Sequence, residues 1–208
     1  MNVESLIALL VFLFPLAYSP GPGNAFFAAI GASKGLRAAV PALAGYHLAT
    51  FVVTAILGAG IGAAFVSHPA VTKLLAAVGS LYVAWLAWSF IRPAQRSGCA
   101  SRGSAVEPRI GFWAGALVLL LNPKAYYIVA VLFTQFLSPS QSDDVFSVVV
   151  ITAIFTLNNL IAFIVWAVAG RMLFMMFRGE RVGRALDYAF AVLLGGVAVW
   201  MALPIIAG

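Results

Sequence analysis

Charge is scarce in this chain. Only 9% of its 208 residues are Asp, Glu, Lys or Arg, against 63% hydrophobic, and the mean hydropathy is +1.05. Soluble domains carry about 25% charged residues, so the composition excludes one and indicates a polytopic membrane protein. Cysteine is nearly absent: Cys99 stands alone, without a partner for a disulfide or a thiolate cluster. None of the six acidic residues falls inside a long apolar run. That removes the paired aspartates of an intramembrane aspartyl protease and the midplane carboxylates or thiolates of a heavy-metal transporter. No motif supplies an oxyanion hole for a pair such as Ser19 and His47, so an enzyme is not expected. Without a phosphate-binding loop, transport would be secondary or depend on another protein. No metal or cofactor is expected.

What the chain does have is long apolar runs, at 6–32, 38–66, 71–91, 110–137, 145–169 and 188–207. Roughly 20 residues suffice to cross a bilayer, so several runs leave room for tilt or kinks. A signal peptide is not expected, because Glu4 replaces the usual basic start and Ala17-Tyr18-Ser19 is followed by Pro20. Ten of the twelve basic residues lie in or beside the loops at 33–37, 92–109 and 171–187. The net charge of +6 therefore reflects topology, with no nucleic-acid partner implied. The positive-inside rule makes those loops cytoplasmic, leaving Lys73, Asp143 and Asp144 on the other side and the C-terminus outside. The first run could instead re-enter at 19–24, which would give five crossings. Its 27-residue length favours six.

Proline interrupts two runs near their middles, at Ser19-Pro20-Gly21-Pro22-Gly23-Asn24 and at Asn122-Pro123-Lys124. A breaker there is costly unless protein or water meets the freed backbone groups. One break per half, with three runs per half, is the pattern of an inverted repeat built on discontinuous helices. The expected fold is all-α: six transmembrane helices as two inverted three-helix repeats, with helices 1 and 4 broken. It forms one membrane domain over 1–208, with halves 1–91 and 110–208 joined by the basic loop 92–109. Gly58 with Gly62, and Gly111 with Gly115, have the spacing of close helix contacts. The five tryptophans read as interfacial anchors or packing.

Ser and Asn are good N-caps and proline suits the first helical position. Ser19-Pro20 and Asn122-Pro123 thus read as two helix starts in mid-membrane, their positive ends facing one region that suits a carboxylate. Lys124 lies fourteen residues after the start of its run and thirteen before its end, roughly 20 Å of helix from either surface and beyond snorkelling reach. A charge at that depth costs from about 2.5 kcal/mol upward, and no carboxylate is in any span to pair with it. An anionic ligand would account for it. Proline kinks used only for packing, around a neutral lysine, are the plainer alternative. Tyr46, His47, Asn158 and Asn159 could line a path or relay protons, or simply bond between helices.

At these same residues the chain resembles the LysE/RhtB family of bacterial amino-acid exporters. The likeness lies in Ser19–Asn24 with Lys34-Gly35-Leu36-Arg37-Ala38-Ala39, in the stretch 79–88, and in Asn122-Pro123-Lys124-Ala125 continuing to Gln135-Phe136. It runs in order over nearly the whole chain. Leu43-Ala44-Gly45 and Trp166-Ala167-Val168-Ala169-Gly170 look most like its cysteine and O-acetylserine branch. The resemblance implies a secondary exporter of small amino acids in the bacterial cytoplasmic membrane, driven by the proton gradient. Its expected partners are a small-molecule substrate and the lipid bilayer, with a homo-oligomer compatible. Two departures stand out: Ala49 and Thr50 replace the family's second glycine and acidic residue, and Gly23 replaces a bulkier or polar one. His47 is then the nearest titratable group. A membrane scaffold that transports nothing is the rival class, and would scatter the break residues or pack them dry.

Overall fold

A membrane helix stops where its backbone hydrogen bonds cannot continue; this chain's helices break around Pro20, Pro22 and Pro123 and at Gly35, while Pro15 and Pro41 lie inside continuous helices. The computed structural model describes residues 3–60, 68–96, 111–137, 145–176 and 180–206. Among them are eight helices and no strand: α1 Val3–Tyr18, α2 Pro22–Lys34, α3 Leu36–Gly58, α4 Pro69–Arg96, α5 Phe112–Leu120, α6 Pro123–Phe136, α7 Val145–Met176 and α8 Glu180–Ile206.

Both expected breaks are present. α1 and α2 meet at a bend of 61°, and α5 and α6 at 65°. Among the described residues α3, the 69–88 stretch of α4, and α7 are each long and apolar enough to cross a membrane. The count rises to as many as five if each bent pair is one span, and the apolar stretch of α8, Tyr188–Leu203, is shorter. The run expected over 38–66 ends its helix sooner, at Gly58, because Gly60 takes a left-handed φ of 78° that glycine alone adopts readily. α7 is longer than expected and continues past Arg171.

The breaks are tolerated because neighbouring groups satisfy the carbonyls they free. At the end of α1, the Ser19 N–H donates to Pro15 O (3.0 Å), the Ser19 hydroxyl to Leu16 O (3.2 Å) and Asn24 Nδ2 to Ala17 O (2.8 Å). At the end of α5, the Asn122 N–H takes Leu119 O (2.9 Å) and the Tyr126 hydroxyl takes Leu120 O (2.8 Å). In lipid, where water cannot substitute, an unpaired carbonyl would cost several kcal/mol.

Three apolar clusters surround the breaks. Phe26, Phe27, Ile30, Tyr46 and Phe163 fill the first. Ala25, Ala29 and Val83 pack with Phe190, Leu194 and Met201 in the second. Leu9 and Leu13 of α1 pack with Val129, Leu132, Ile151 and Phe155 in the third. Two helix crossings bring backbones into contact through reciprocal glycines. A Cβ on Gly31 would collide with the Ala167 carbonyl, and one on Gly170 with that of Ala28, which joins α2 to α7. Gly45 likewise lies on the Phe112 carbonyl and Gly115 on that of Ala42, joining α3 to α5.

Of the glycines the spacing suggested, Gly115 makes such a backbone contact, but not as a pair with Gly111. Gly111 is the N-cap of α5, Gly58 abuts the Phe133 ring, and Gly62 lies outside the described residues. Sequence spacing finds small residues on one helix, but the contact needs a facing small residue on another. Trp85, Trp88, Trp113 and Trp200 are exposed, as interfacial or lipid-facing residues would be, while Trp166 packs against the second cluster. Cys99, Asp143, Asp144 and most of the basic loop 92–109 lie outside the described residues.

Candidate functional site

The two breaks come together. Lys124 starts in the first turn of α6, and its ammonium crosses to donate to the Ser19 hydroxyl at 3.1 Å. Among the described residues this is its hydrogen-bond partner. A Cβ placed on Gly21 would stand 3.6 Å from Lys124 Nζ and 3.7 Å from Asn24 Oδ1, so the lysine, the amide oxygen and the bare backbone of Gly21 share one small space. Asn24 Nδ2 is committed to Ala17, leaving Oδ1 as the acceptor facing that space.

A cavity of about 40 Å³ lies beside it, lined by Gly21, Pro22, Gly23 and Asn24 from the first break and by Asn122 and Lys124 from the second. Tyr46, Thr50 and Thr54 of α3 and Phe155, Asn159 and Phe163 of α7 complete the wall. One water needs roughly 10–15 Å³ by this measure, so the cavity holds a few waters and is closed to anything as large as an amino acid.

Two expectations about the helix ends change. Ser19 does not cap α2. Gly21 does, with extended backbone (φ −166°, ψ 177°) and Pro22 in the first turn, because the second X-Pro step also forces its preceding residue out of the helix. Ser19 and Asn24 instead close the end of α1. Asn122 does cap α6, accepting from the Lys124 N–H at 3.1 Å, so that helix end satisfies itself. The open N-terminus is that of α2, whose Gly21 has no side chain to cap it. The Lys124 ammonium, expected against a positive helix end, lies beside Gly21 at the start of α2 and bonds to the Ser19 hydroxyl at the end of α1. Losing the Asn122 cap in Asn122→Ala should cost about 1 kcal/mol, read as a lower midpoint in thermal unfolding in detergent.

The remaining expected residues divide. Pro20 is exposed, Pro123 faces a different pocket, and Ser19 acts through Lys124. Successive residues on a helix point about 100° apart, which separates the asparagines: Asn159 lines the cavity, while Asn158 does not and its Nδ2 has no partner. Tyr46 lines the cavity; His47 turns away, with Nδ1 2.7 Å from Leu43 O and Nε2 buried without a partner. A ring nitrogen so close to a carbonyl must carry a proton, so Nδ1 is a donor.

Thr54 and Phe163 escaped the sequence reading. Thr54 is 1% exposed, lines the cavity and has an unpartnered hydroxyl. Thr50, at the position where the resemblance leads one to expect an acid, lines it too and bonds back to Tyr46 O at 2.8 Å. The lone titratable cation on the wall is therefore not matched by an acid. Phe163 stands where a side chain at position 23 would go: a Cβ on Gly23 would be 2.6 Å from its ring. Period-3.6 reading had no signal for either, since a threonine or phenylalanine in an apolar run looks like packing.

The LysE type translocator family model matches residues 14–204. This chain belongs to the LysE-type translocators. Its relatives include proteins called cysteine/O-acetylserine efflux protein in Escherichia coli strain K12, Shigella sonnei strain Ss046 and Salmonella choleraesuis strain SC-B67. Each is 30% identical over 200 residues, covering 96% of this chain and 98% of its own. No solved structure matches. The translocator is thus an integral membrane protein of a transporter family, not of an enzyme family, and both breaks fall within the matched residues.

Proposed function

We propose that this translocator exports a small, neutral amino acid or close derivative across the bacterial cytoplasmic membrane, by alternating access around the cavity between the breaks. The carrying observation is that Lys124, Asn24, the uncapped start of α2 at Gly21 and Thr54 with its unpartnered hydroxyl all line one cavity. A zwitterion fits that set. Its carboxylate would take Lys124 from Ser19 and accept from the α2 N-terminus, while its ammonium would donate to Asn24 Oδ1. The efflux proteins among the relatives support cysteine or O-acetylserine as first candidates. A scaffold would have no need to bring these polar groups together around a cavity.

Six crossings remain the topology we favour. Bends of 61° and 65° leave each second half-helix advancing, whereas a re-entrant hairpin would double back. The element order also repeats, a broken helix followed by two long ones in each half, in keeping with an inverted repeat. The basic loops put the Lys34 end of α2 inside and the Pro69 end of α4 outside. Coupling to protons would run through a titratable group such as His47 of α3.

Efflux from vesicles loaded with single labelled amino acids tests the reading. Release of a small neutral amino acid, faster under an imposed proton gradient, is the expected result; no release of any amino acid would overturn it. Gly21→Ala should fold normally, since φ −166° is open to alanine. Its methyl would occupy the space between Lys124 and Asn24, weakening substrate binding on the order of tenfold, about 1.4 kcal/mol, seen as a raised KM for efflux. Thr54→Val should leave folding intact, because the hydroxyl lost has no partner, yet change the preference between hydroxylated and apolar substrates.

A further inference from the structure

A second, larger pocket lies on the other side of Lys124. Its volume is about 470 Å³, within the range of small-molecule sites, and Lys124 belongs to both walls. Three helices each give it one face. α4 contributes Pro69, Lys73 and Ala76, α6 Lys124, Tyr127 and Ile128, and α8 Trp200 with Leu203 and, beside them, Met201; the spacings of three and four put each set on one helix side. Two cations line an otherwise apolar space, and no Asp or Glu lines it. Lys73 is four residues from the start of α4, at the end that the basic loops assign to the outside.

We propose that this pocket is an exit site for the transported amino acid, which holds its carboxylate between Lys124 and Lys73 and its side chain against Trp200 and Met201. This rests on the export reading above. The central cavity is too small to retain a substrate in this conformation, whereas the adjoining pocket is not. A carboxylate released from the Asn24 side of Lys124 reaches the pocket by staying on the same ammonium, and Lys73 draws it outward. Substrates with an apolar or thioether side chain should gain most from the wall, so the pocket would add its own ranking to that of the central cavity.

The chain's single cysteine allows a clean test. In Cys99→Ser with Tyr127→Cys, in vesicles of neutral lipid, the new thiol should react with membrane-impermeant reagents added outside, and no reaction with either would overturn the exit site. With each rate taken relative to that of the same reagent on a free thiol in solution, the anionic 2-sulfonatoethyl methanethiosulfonate should be favoured several-fold over its trimethylammonium counterpart. Lys73→Met should narrow the difference between the two rates, with Lys124 still present, and externally added O-acetylserine or methionine should slow both. In the chain with Tyr127 intact, Lys73→Met should slow efflux several-fold while Lys124 still supports it. Equal rates for the two reagents, or a preference that Lys73→Met leaves untouched, would overturn the anion site. A Lys73-dependent preference without protection by any amino acid would overturn the occupant. Protection that appears only when phosphatidylglycerol is added would assign the site to lipid and overturn it as well. Failure of the export reading is separate: the unmodified protein would then release no amino acid, whatever the thiol rates.

Discussion

Lys124→Met should abolish export and leave a protein at least as stable as the original. The two halves of that result have different causes. The ammonium is half-buried at the junction of the breaks and bonded to one hydroxyl, and a charge at membrane depth costs from about 2.5 kcal/mol upward. Methionine fills similar space without that cost. Ser19 keeps its bond to Leu16 O, so no orphan is created. Transport loses the cation that faces both the central cavity and the exit pocket. Truncating one partner of a buried charged pair costs roughly 2–5 kcal/mol, which makes the expected loss at least ~30-fold in efflux. Melting in detergent and efflux from vesicles, run on the same preparation, check both halves. Normal efflux of every candidate amino acid would remove Lys124 from the mechanism.

The second large effect is at the glycine crossings. Gly31→Leu should prevent α2 from seating on α7, and Gly45→Leu should do the same to α3 on α5. Each added side chain would meet a backbone carbonyl, which cannot swing aside as a flexible side chain can. Overpacking a close contact costs about 1–3 kcal/mol when side chains can shift; here a whole helix must move, so the upper end or beyond is expected. Even alanine should lower the melting point at Gly31, Gly45, Gly115 and Gly170. Gly196 is the control. Nothing lies within 4 Å of a Cβ there, and exposed Gly→Ala in a helix stabilises by roughly 0.5–1 kcal/mol. If Gly31→Ala and Gly196→Ala shift the melting point alike, the backbone contacts are not what hold the helices. The two crossings lie towards the Lys34 end of α2 and the Gly170 end of α7, so the same substitutions would hinder close seating of the helices there.

Some of this was legible without coordinates. Composition alone specified a membrane protein, because apolar runs of this length and a 9% charged content have no soluble solution. The breaks were legible because proline acts locally: it removes an N–H and constrains its predecessor whatever surrounds it. The Asn122 cap followed from the same local chemistry. Ser19 was misread for an instructive reason. Two X-Pro steps stand two residues apart, local rules allow either to start the helix, and the carbonyls of Leu16 and Ala17 needed Ser19 and Asn24 more than the α2 N–H groups did.

Only the tertiary structure decided what faces what. Lys124 was visibly too deep to be idle, but nothing local says that its ammonium reaches a hydroxyl 105 positions away. Nor does sequence show that Asn159 faces the cavity while Asn158 does not, that Phe163 fills the space left by Gly23, or that Gly31 finds Ala167. The order of residues fixes the faces of each helix through its own period. Which faces meet depends on packing between segments far apart in the chain, and in a bilayer that choice rests on close shape fit rather than on burial from water. The proline breaks were written in the sequence; the site they share exists only where the helices cross.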